Sequence, residues 1–259
     1  RITQTAKALW LVYAAITLAG VLALRAAGMD WLDAICHAFS AVALGGFSTY
    51  DTGVGHFDSA AIELVLIVLM LLACLNFSRH FMAVQKRSFR PYARDAEAKA
   101  IMLVLGVSVA AVTALLWASQ TYDGFGSSLR HAAFTVVSIA TTTGFVTDNY
   151  ESWPVFAPVW MLLLSCIVCS TGSTGGGIKM FRTLVLAKQS LREMFTLVHP
   201  QAVAPLKISG QVVPNRVVYS VLAFIFLYFM TIVILTLAML VSGLDFISSL
   251  SAIIACINN

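Results

Sequence analysis

Long apolar stretches alternate with short ones along this chain, and that alternation restricts the fold more than any single motif. The long stretches run over 8–27, 59–84, 98–119, 154–195 and 215–241. Each reaches the roughly 20 residues that carry a helix across a bilayer. Shorter apolar runs lie between them at 31–44, 127–141 and 245–257. Their length suits re-entrant segments better than full crossings. Composition agrees: 59% of the 259 residues are apolar and 11% charged, against about 25% charged in soluble domains. The mean hydropathy is +0.88. An ordinary soluble enzyme and a disordered chain are both excluded. So is a nucleic-acid partner, because the net charge of +4 comes with no dense basic tract. What remains is an all-α integral membrane protein surrounded by membrane lipid. The chain starts at Arg1 and ends at Asn259 within an apolar stretch, so it reads as an internal fragment of a longer protein.

Charge placement orients the spans. Arg1 and Lys7 precede the first, and Arg79 lies near the inner end of the second. Lys86, Arg87, Arg90, Arg94 and Lys99 follow it, and Lys179, Arg182, Lys188, Arg192, Lys207 and Arg216 cluster after the fourth. Short loops rich in Lys and Arg face the cytoplasm. The opposite side holds Asp30, Asp33, Asp51, Asp58, Asp123, Asp148, Glu151 and Asp245, with Arg25 and Arg130 as its basic residues. The count works only if the short apolar segments dip in from outside and return. An acidic outer surface concentrates cations over about a Debye length, ~8 Å.

The short segments resemble one another. Ser40-Ala41-Val42-Ala43-Leu44-Gly45-Gly46-Phe47-Ser48-Thr49 aligns with Ser138-Ile139-Ala140-Thr141-Thr142-Thr143-Gly144-Phe145-Val146-Thr147. A third copy begins at Asp245 and stops at Asn258-Asn259, about two residues before its equivalent glycine would come. The repeating unit is helix, short pore-type helix, glycine-containing extended stretch, helix. Non-helical backbone at membrane depth is tolerated where it lines protein or water. Gly46 and Gly144 permit dihedrals that turn carbonyls inward, and rings of carbonyls can replace an ion's hydration shell. A tight outer loop turning at Gly-Phe is the plainer reading of one copy. Two copies in register, each after a short apolar helix, favour the carbonyl ring.

These residues resemble the Trk/Ktr/HKT superfamily of potassium transporters, closest to its bacterial TrkH branch. The resemblance is carried by Ala43–Thr49, Thr141–Phe145 and Gly172-Ser173-Thr174-Gly175-Gly176-Gly177-Ile178-Lys179, with Leu197-Val198-His199-Pro200 and Asn258-Asn259 in support. It implies helix–pore helix–helix units around a pseudo-fourfold pore. In that scheme 1–97 is the second unit, 98–197 the third, 198–214 a cytoplasmic linker and 215–259 the first half of the fourth; the first unit and the last helix are missing. It further implies a K+ path past Leu44, Gly45, Gly46, Thr142, Thr143, Gly144, Asn258 and Asn259, with K+ as the bound, transported ion and no organic cofactor. A homodimer in the bacterial inner membrane and a cytoplasmic nucleotide-binding regulatory subunit of TrkA type are implied as well.

The fourth long stretch carries Ser170-Thr171-Gly172-Ser173-Thr174-Gly175-Gly176-Gly177. Each glycine in a helix interior costs about 1 kcal/mol relative to Ala, so the helix should break near mid-membrane. Hydroxyls of Ser170, Thr171, Ser173 and Thr174 can satisfy the freed backbone groups. The break falls on the cytoplasmic side of the carbonyl segments, where it suits a gate; the resemblance implies the same for this loop. Val168, Cys169, Ser170 and Thr171 stand where relatives often carry Gly, Cys and Ala, which implies a stiffer start to the loop. Lys179 is placed to position the loop electrostatically, or to anchor it at the inner interface. A phosphate-binding loop is excluded, because Ile178 separates Gly177 from Lys179 and Met180 follows.

Other residues read as structural. Cys166 and Cys169 form a C-x-x-C without a second pair or a nearby His, as small apolar residues of a membrane helix. Glu63 and Arg79 lie close enough to span ends to snorkel. His37 and His131, in the pore-type helices, are polar partners for helix ends rather than metal ligands. Trp10, Trp31, Trp117, Trp153 and Trp160 fall near span ends, as interfacial belts do. No nucleophile–base pair is visible, so an enzyme is not expected. The competing reading is a cation-coupled secondary carrier with a midplane site at the broken helix. Its usual sign is an acid at the break, and no Asp or Glu lies between Pro154 and Leu191.

Overall fold

A computed structural model describes residues 2–202 and 204–259, with all their side chains except those of residues 2–5 and 151. Arg1 and the Glu151 side chain, both counted in the charge argument, lie outside the described residues. The fold is all-α apart from one short hairpin. Helices α1 (Ile2–Ala26), α2 (Trp31–Ala43), α3 (Ala60–Cys74) and α4 (Phe77–Lys86) form the N-terminal helix set. A one-turn helix α5 (Arg90–Ala93) leads to α6 (Ala96–Ala118), α7 (Phe125–Ala140), α8 (Phe156–Ile167) and α9 (Met180–Val198). Strands β1 (Lys207–Ile208) and β2 (Gln211–Val212) pair antiparallel, Lys207 opposite Val212. Helices α10 (Asn215–Val241) and α11 (Phe246–Asn258) complete the described chain.

Helix length separates spans from re-entrant segments. Ala6–Ala26, Ala96–Ala118 and Asn215–Val241 are each long and apolar enough to cross a membrane. The 27 residues of α10 reach about 40 Å at 1.5 Å per residue. The 13 residues of α2 and of α11 reach only about 20 Å, short of a hydrocarbon core of about 30 Å, so they end at depth. In α10, Val218, Val221, Ile225, Tyr228 and Ile232 are buried at helical spacing, while Phe226, Leu227, Phe229 and Ile234 are exposed. A helix apolar on every face has lipid as its outer solvent.

Packing repeats with the sequence. In each unit the long helix lies against its pore-type helix: α1 on α2, α6 on α7, α10 on α11. The helix after the pore segment packs on the next unit's pore helix, α3 on α7 and α8 on α11. One core cluster joins the N-terminal helix set to α7 and α8 through Leu66, Met70, Phe134, Phe145 and Met161, all buried.

The stretch 59–84, expected as one span, is two helices. α3 and α4 meet at a 100° bend across Leu75 and Asn76. Asn76 caps α4, its side-chain oxygen accepting from Ser78 N at 2.8 Å. The last carbonyls of a helix have no intrahelical partner, and here each finds one. Leu71 O takes the Cys74 thiol, Leu72 O takes His80 Nε2 at 2.8 Å, Ala73 O takes Thr174 N at 3.4 Å and Cys74 O takes Ser170 N at 2.9 Å. The break is thus stabilised by residues about a hundred positions away. The stretch 154–195 breaks as expected, but earlier: α8 ends at Ile167, before the first glycine.

Glu63 does not snorkel. It is buried, and Arg130 of α7 meets its carboxylate at 2.8 and 2.9 Å while also reaching Asp58 at 3.0 Å. Arg79 pairs with Asp95 at 3.5 Å. Trp10, Trp31 and Trp117 are exposed, as an interfacial belt requires. Trp153 and Trp160 instead point inward and donate to Tyr122 Oη and Ser108 Oγ, both at 3.1 Å.

Candidate ion path and gate loop

Helices α2 and α7 end in the same backbone turn. A left-handed residue closes each turn: Leu44 at φ 57°, directly after α2, and Thr142 at φ 63°, two residues past the end of α7. Leu44 N and Gly45 N donate to Ala41 O and Ser40 O at 3.3 and 2.8 Å; Thr142 N and Thr143 N donate to Ile139 O and Ser138 O at 3.0 and 2.9 Å. This paired geometry is the Schellman motif, normally closed by glycine. A side chain there costs about 1–2 kcal/mol, so both units carry the same strain at the same register. Two residues on, Gly46 and Gly144 return to positive φ, 71° and 84°. The two strands touch: a Cβ on Gly46 would overlap the Thr143 carbonyl oxygen.

The carbonyls of this turn are poorly satisfied. Among the described residues, those of Gly45, Thr142 and Thr143 accept no hydrogen bond, although Thr142 and Thr143 are buried. Buried carbonyls are rarely left so. Three helix C-termini, with their negative dipole ends, stop beside them. The arrangement can accept a dehydrated cation in place of hydrogen bonds.

The strands are fixed from behind. Ser138 Oγ donates to Phe145 O at 2.8 Å, and Val146 O accepts from Val54 N at 2.9 Å. Behind the Gly46 strand, Thr49 and Tyr50 donate to the two oxygens of buried Asp33 at 2.7 and 3.1 Å, and His37 bridges Asp33 O and Ser48 Oγ. The Asp33 carboxylate beside Tyr50 raises that phenol above its ordinary pKa. His131 stacks on Tyr122 with ring centres 4.4 Å apart.

The third copy meets the others at α11. Asn258 accepts from Tyr228 Oη at 2.7 Å and donates to Ser165 Oγ at 3.2 Å, tying α11 to α10 and α8. Asn259 Nδ2 donates to Leu44 O at 2.9 Å. Thr142, Thr143, Gly144, Ser165, Asn258 and Asn259 help line a cavity of about 450 Å³.

The segment 168–179 lies across the inner ends of these turns. Cys169 Sγ donates to Thr141 O at 3.4 Å, Thr174 Oγ1 to Val42 O at 3.0 Å, and Gly176 N to Thr142 Oγ1 at 3.4 Å. A side chain on Gly176 would overlap the Asn258 carbonyl, so the loop reaches all three copies. Sideways, Gly172 O accepts from Phe77 N at 3.1 Å at the α3–α4 break. Glu97, in the first turn of α6, takes Ser170 Oγ at 2.9 Å and Thr171 N at 2.7 Å on one carboxylate oxygen. Lys179 Nζ is gathered by Gly175 O and, at 3.4 Å, by Ser173 O and Oγ. Cys166 Sγ turns back onto Leu162 O.

The TrkH family model, described as cation transport protein, matches residues 1–259. The chain belongs to the TrkH family. It is 40% identical over 259 residues to the Trk system potassium uptake protein TrkH of Halomonas elongata, covering all of this chain and 54% of that protein. The TrkG protein of Escherichia coli K12 is 38% identical over 261 residues, with 53% of its length covered. The crystal structure of the potassium transporter TrkH from Vibrio parahaemolyticus superposes with a TM-score of 0.95 at 40% identity, over 98% of this chain and 55% of that one. The chain therefore spans about half the length of these relatives.

For a TrkH-family chain, Glu97 and Asn76 are the contacts that sequence reasoning missed. Asn76 sits inside an apolar run as a helix cap, which a break signal of Asn followed by Ser two residues on could have flagged. Glu97 gave no signal, since its partners are more than seventy positions away.

Proposed function

We propose that this chain forms part of a potassium uptake protein of the bacterial inner membrane. K+ passes the backbone of Leu44, Gly45, Gly46, Thr142, Thr143, Gly144, Asn258 and Asn259, and the loop 170–177 with Lys179 gates it from below. The reading is carried by the carbonyls of the buried residues Thr142 and Thr143, which accept no hydrogen bond among the described residues where two units meet. The loop's contacts with Val42, Thr141 and Thr142 support the gate, because it cannot stay there while ions leave inward. The whole protein works as a homodimer with a nucleotide-binding regulatory subunit of TrkA type on its basic inner face. The units are 1–97, 98–197 and 215–259, with 198–214 as linker.

The test is radioactive Rb+ uptake into liposomes holding the full-length protein, with K+ or Na+ as competitor. K+ should block at concentrations where Na+ does not. Equal block by both ions overturns the carbonyl filter.

A further inference from the structure

The elbow between α4 and α5 carries charge that the ion path does not use. α4 turns 100° away from α3, and the basic residues Lys86, Arg87, Arg90, Arg94 and Lys99 that follow assign this elbow to the cytoplasmic boundary. One face of α4 is committed to the protein: Phe77 stacks on Tyr13, and His80 bonds Leu72 O and Tyr92 Oη. The opposite face presents Arg79, Met82 and Lys86, at helical spacing, to a cavity of about 520 Å³. Arg90 and Arg94, one turn apart, close it from α5.

The charges in this cavity are unbalanced. Asp95 lies outside its lining and is held by Arg79 at 3.5 Å. Lys86, Arg90 and Arg94 have no ion-pair partner among the described residues, and no carboxylate lines the cavity. Ser88 Oγ accepts from Arg90 N at 3.3 Å, which leaves its hydroxyl proton free to donate. Guanidinium, ammonium and hydroxyl donors converging on one concavity are the chemistry of phosphate recognition.

The surroundings indicate where that phosphate comes from. Val84 is 75% exposed and Phe89 84%, on either side of Lys86 and Ser88. Across α4, Leu11, Val12 and Ile16 of α1 face Phe81 and Val84 over an apolar groove of about 420 Å³. Basic pockets beside apolar surface at the cytoplasmic boundary suit anionic lipid head groups. We propose that the α4–α5 cavity binds the phosphate of an anionic phospholipid of the inner leaflet. Arg90, Arg94 and Lys86 carry the charge recognition and Ser88 adds a hydrogen bond. Free phosphate shares the chemistry but gains nothing from the apolar flank.

The test uses delipidated full-length protein in detergent, titrated with phosphatidylglycerol or phosphatidylcholine and read by native mass spectrometry. The parent should favour phosphatidylglycerol by at least ten-fold. The triple variant Lys86→Gln, Arg90→Gln, Arg94→Gln should lose that preference while keeping its melting temperature, and Arg90→Lys with Arg94→Lys should retain it. An unchanged preference in the triple variant overturns the proposal. So does an equal loss in Arg216→Gln, an exposed cation elsewhere on this face, which would mark a general charge effect. Displacement of the lipid by millimolar inorganic phosphate alone would assign the cavity to free phosphate. Loss of regulatory-subunit binding with lipid preference intact would make it a protein-docking surface instead.

Discussion

Two glycines at the same register of the repeat should fail in different ways when a serine replaces them. Both are left-handed, at φ 71° for Gly46 and 84° for Gly144, so either serine costs about 1–2 kcal/mol of backbone strain. Their surroundings differ. A Cβ on Gly144 meets nothing within 4 Å, whereas one on Gly46 overlaps the Thr143 carbonyl oxygen. Overpacking adds about 1–3 kcal/mol, and because the neighbour is backbone it cannot rotate away. Gly144→Ser should therefore insert and melt within a few degrees of the parent, with its hydroxyl projecting into the open space beside the carbonyls. Its K+ over Na+ discrimination should fall at least ten-fold, which corresponds to about 1.4 kcal/mol. Gly46→Ser should lose about 2–5 kcal/mol and displace the third unit's strand as well. The assay is competed Rb+ uptake into liposomes with full-length protein, together with melting of each variant. An unchanged flux ratio in folded Gly144→Ser removes that residue from the ion path. Equal melting temperatures for the two variants refute the close approach at Gly46.

Removing Glu97 should free the start of the loop: its two bonds to a charged acceptor are worth about 1.5–3 kcal/mol each, so basal Rb+ flux in Glu97→Ala should rise ten-fold or more. Flux equal to the parent's in correctly inserted protein would show that the loop is held without it. Glu63→Ala removes the buried carboxylate from Arg130, which keeps its bond to Asp58, and should destabilise by about 1–3 kcal/mol; a melting point unchanged within a degree contradicts the pair's role in joining α3 to α7. The hydrogen bond from Tyr122 at 2.5 Å holds the Asp148 pKa below its ordinary value. A depressed carboxylate contributes stability above the unfolded pKa and loses it as pH falls through the folded one. The melting gap between parent and Asp148→Asn should accordingly be constant above about pH 5 and close at lower pH; a gap that widens on acidification reverses the sign and refutes the assignment.

The parts of this fold that were legible in the sequence are those fixed by local chemistry. Hydropathy delimited α10 at 215–241 and α2 at 31–43 to within a residue, because helix length and the apolar run coincide there. The Ser-to-Thr repeat marked two turns that share dihedral signs at every special position. The α3–α4 break was hidden for the opposite reason. Asn76 is one polar residue in an apolar run, and the carbonyls freed there are taken by Ser170 and Thr174, contacts that no local pattern encodes. Glu63 lay near a helix end, where snorkelling was the cheaper local solution until Arg130 arrived from another unit. Even the repeat did not predict environment: Phe145 is buried against the His37 ring, while its counterpart Phe47 is 81% exposed.

The position of Glu97 bears on the choice between a gated path and a coupled carrier. The absence of an acid within the broken stretch had counted against the carrier, and the structure brings one to the break from α6. Both of its loop contacts are donors, Ser170 Oγ and Thr171 N, converging on a single oxygen. The contacts with the pore turns are made instead by Cys169, Thr174 and Gly176. A coupling acid must exchange its partner for a proton or Na+ along the path, whereas Glu97 holds the end of the loop that opens toward α6. The β1–β2 hairpin reaches the same helix start, with Ser209 Oγ accepting from Ala96 N at 3.1 Å. That places Glu97 between a surface element and the loop; if the loop gates the path as proposed, Glu97 is a brace through which movement at that surface reaches it. If it braces, Glu97→Gln retains a carbonyl acceptor and leaks less than Glu97→Ala, with neither responding to an imposed proton gradient. If it couples, both variants lose gradient-driven uptake equally, and the carrier reading returns.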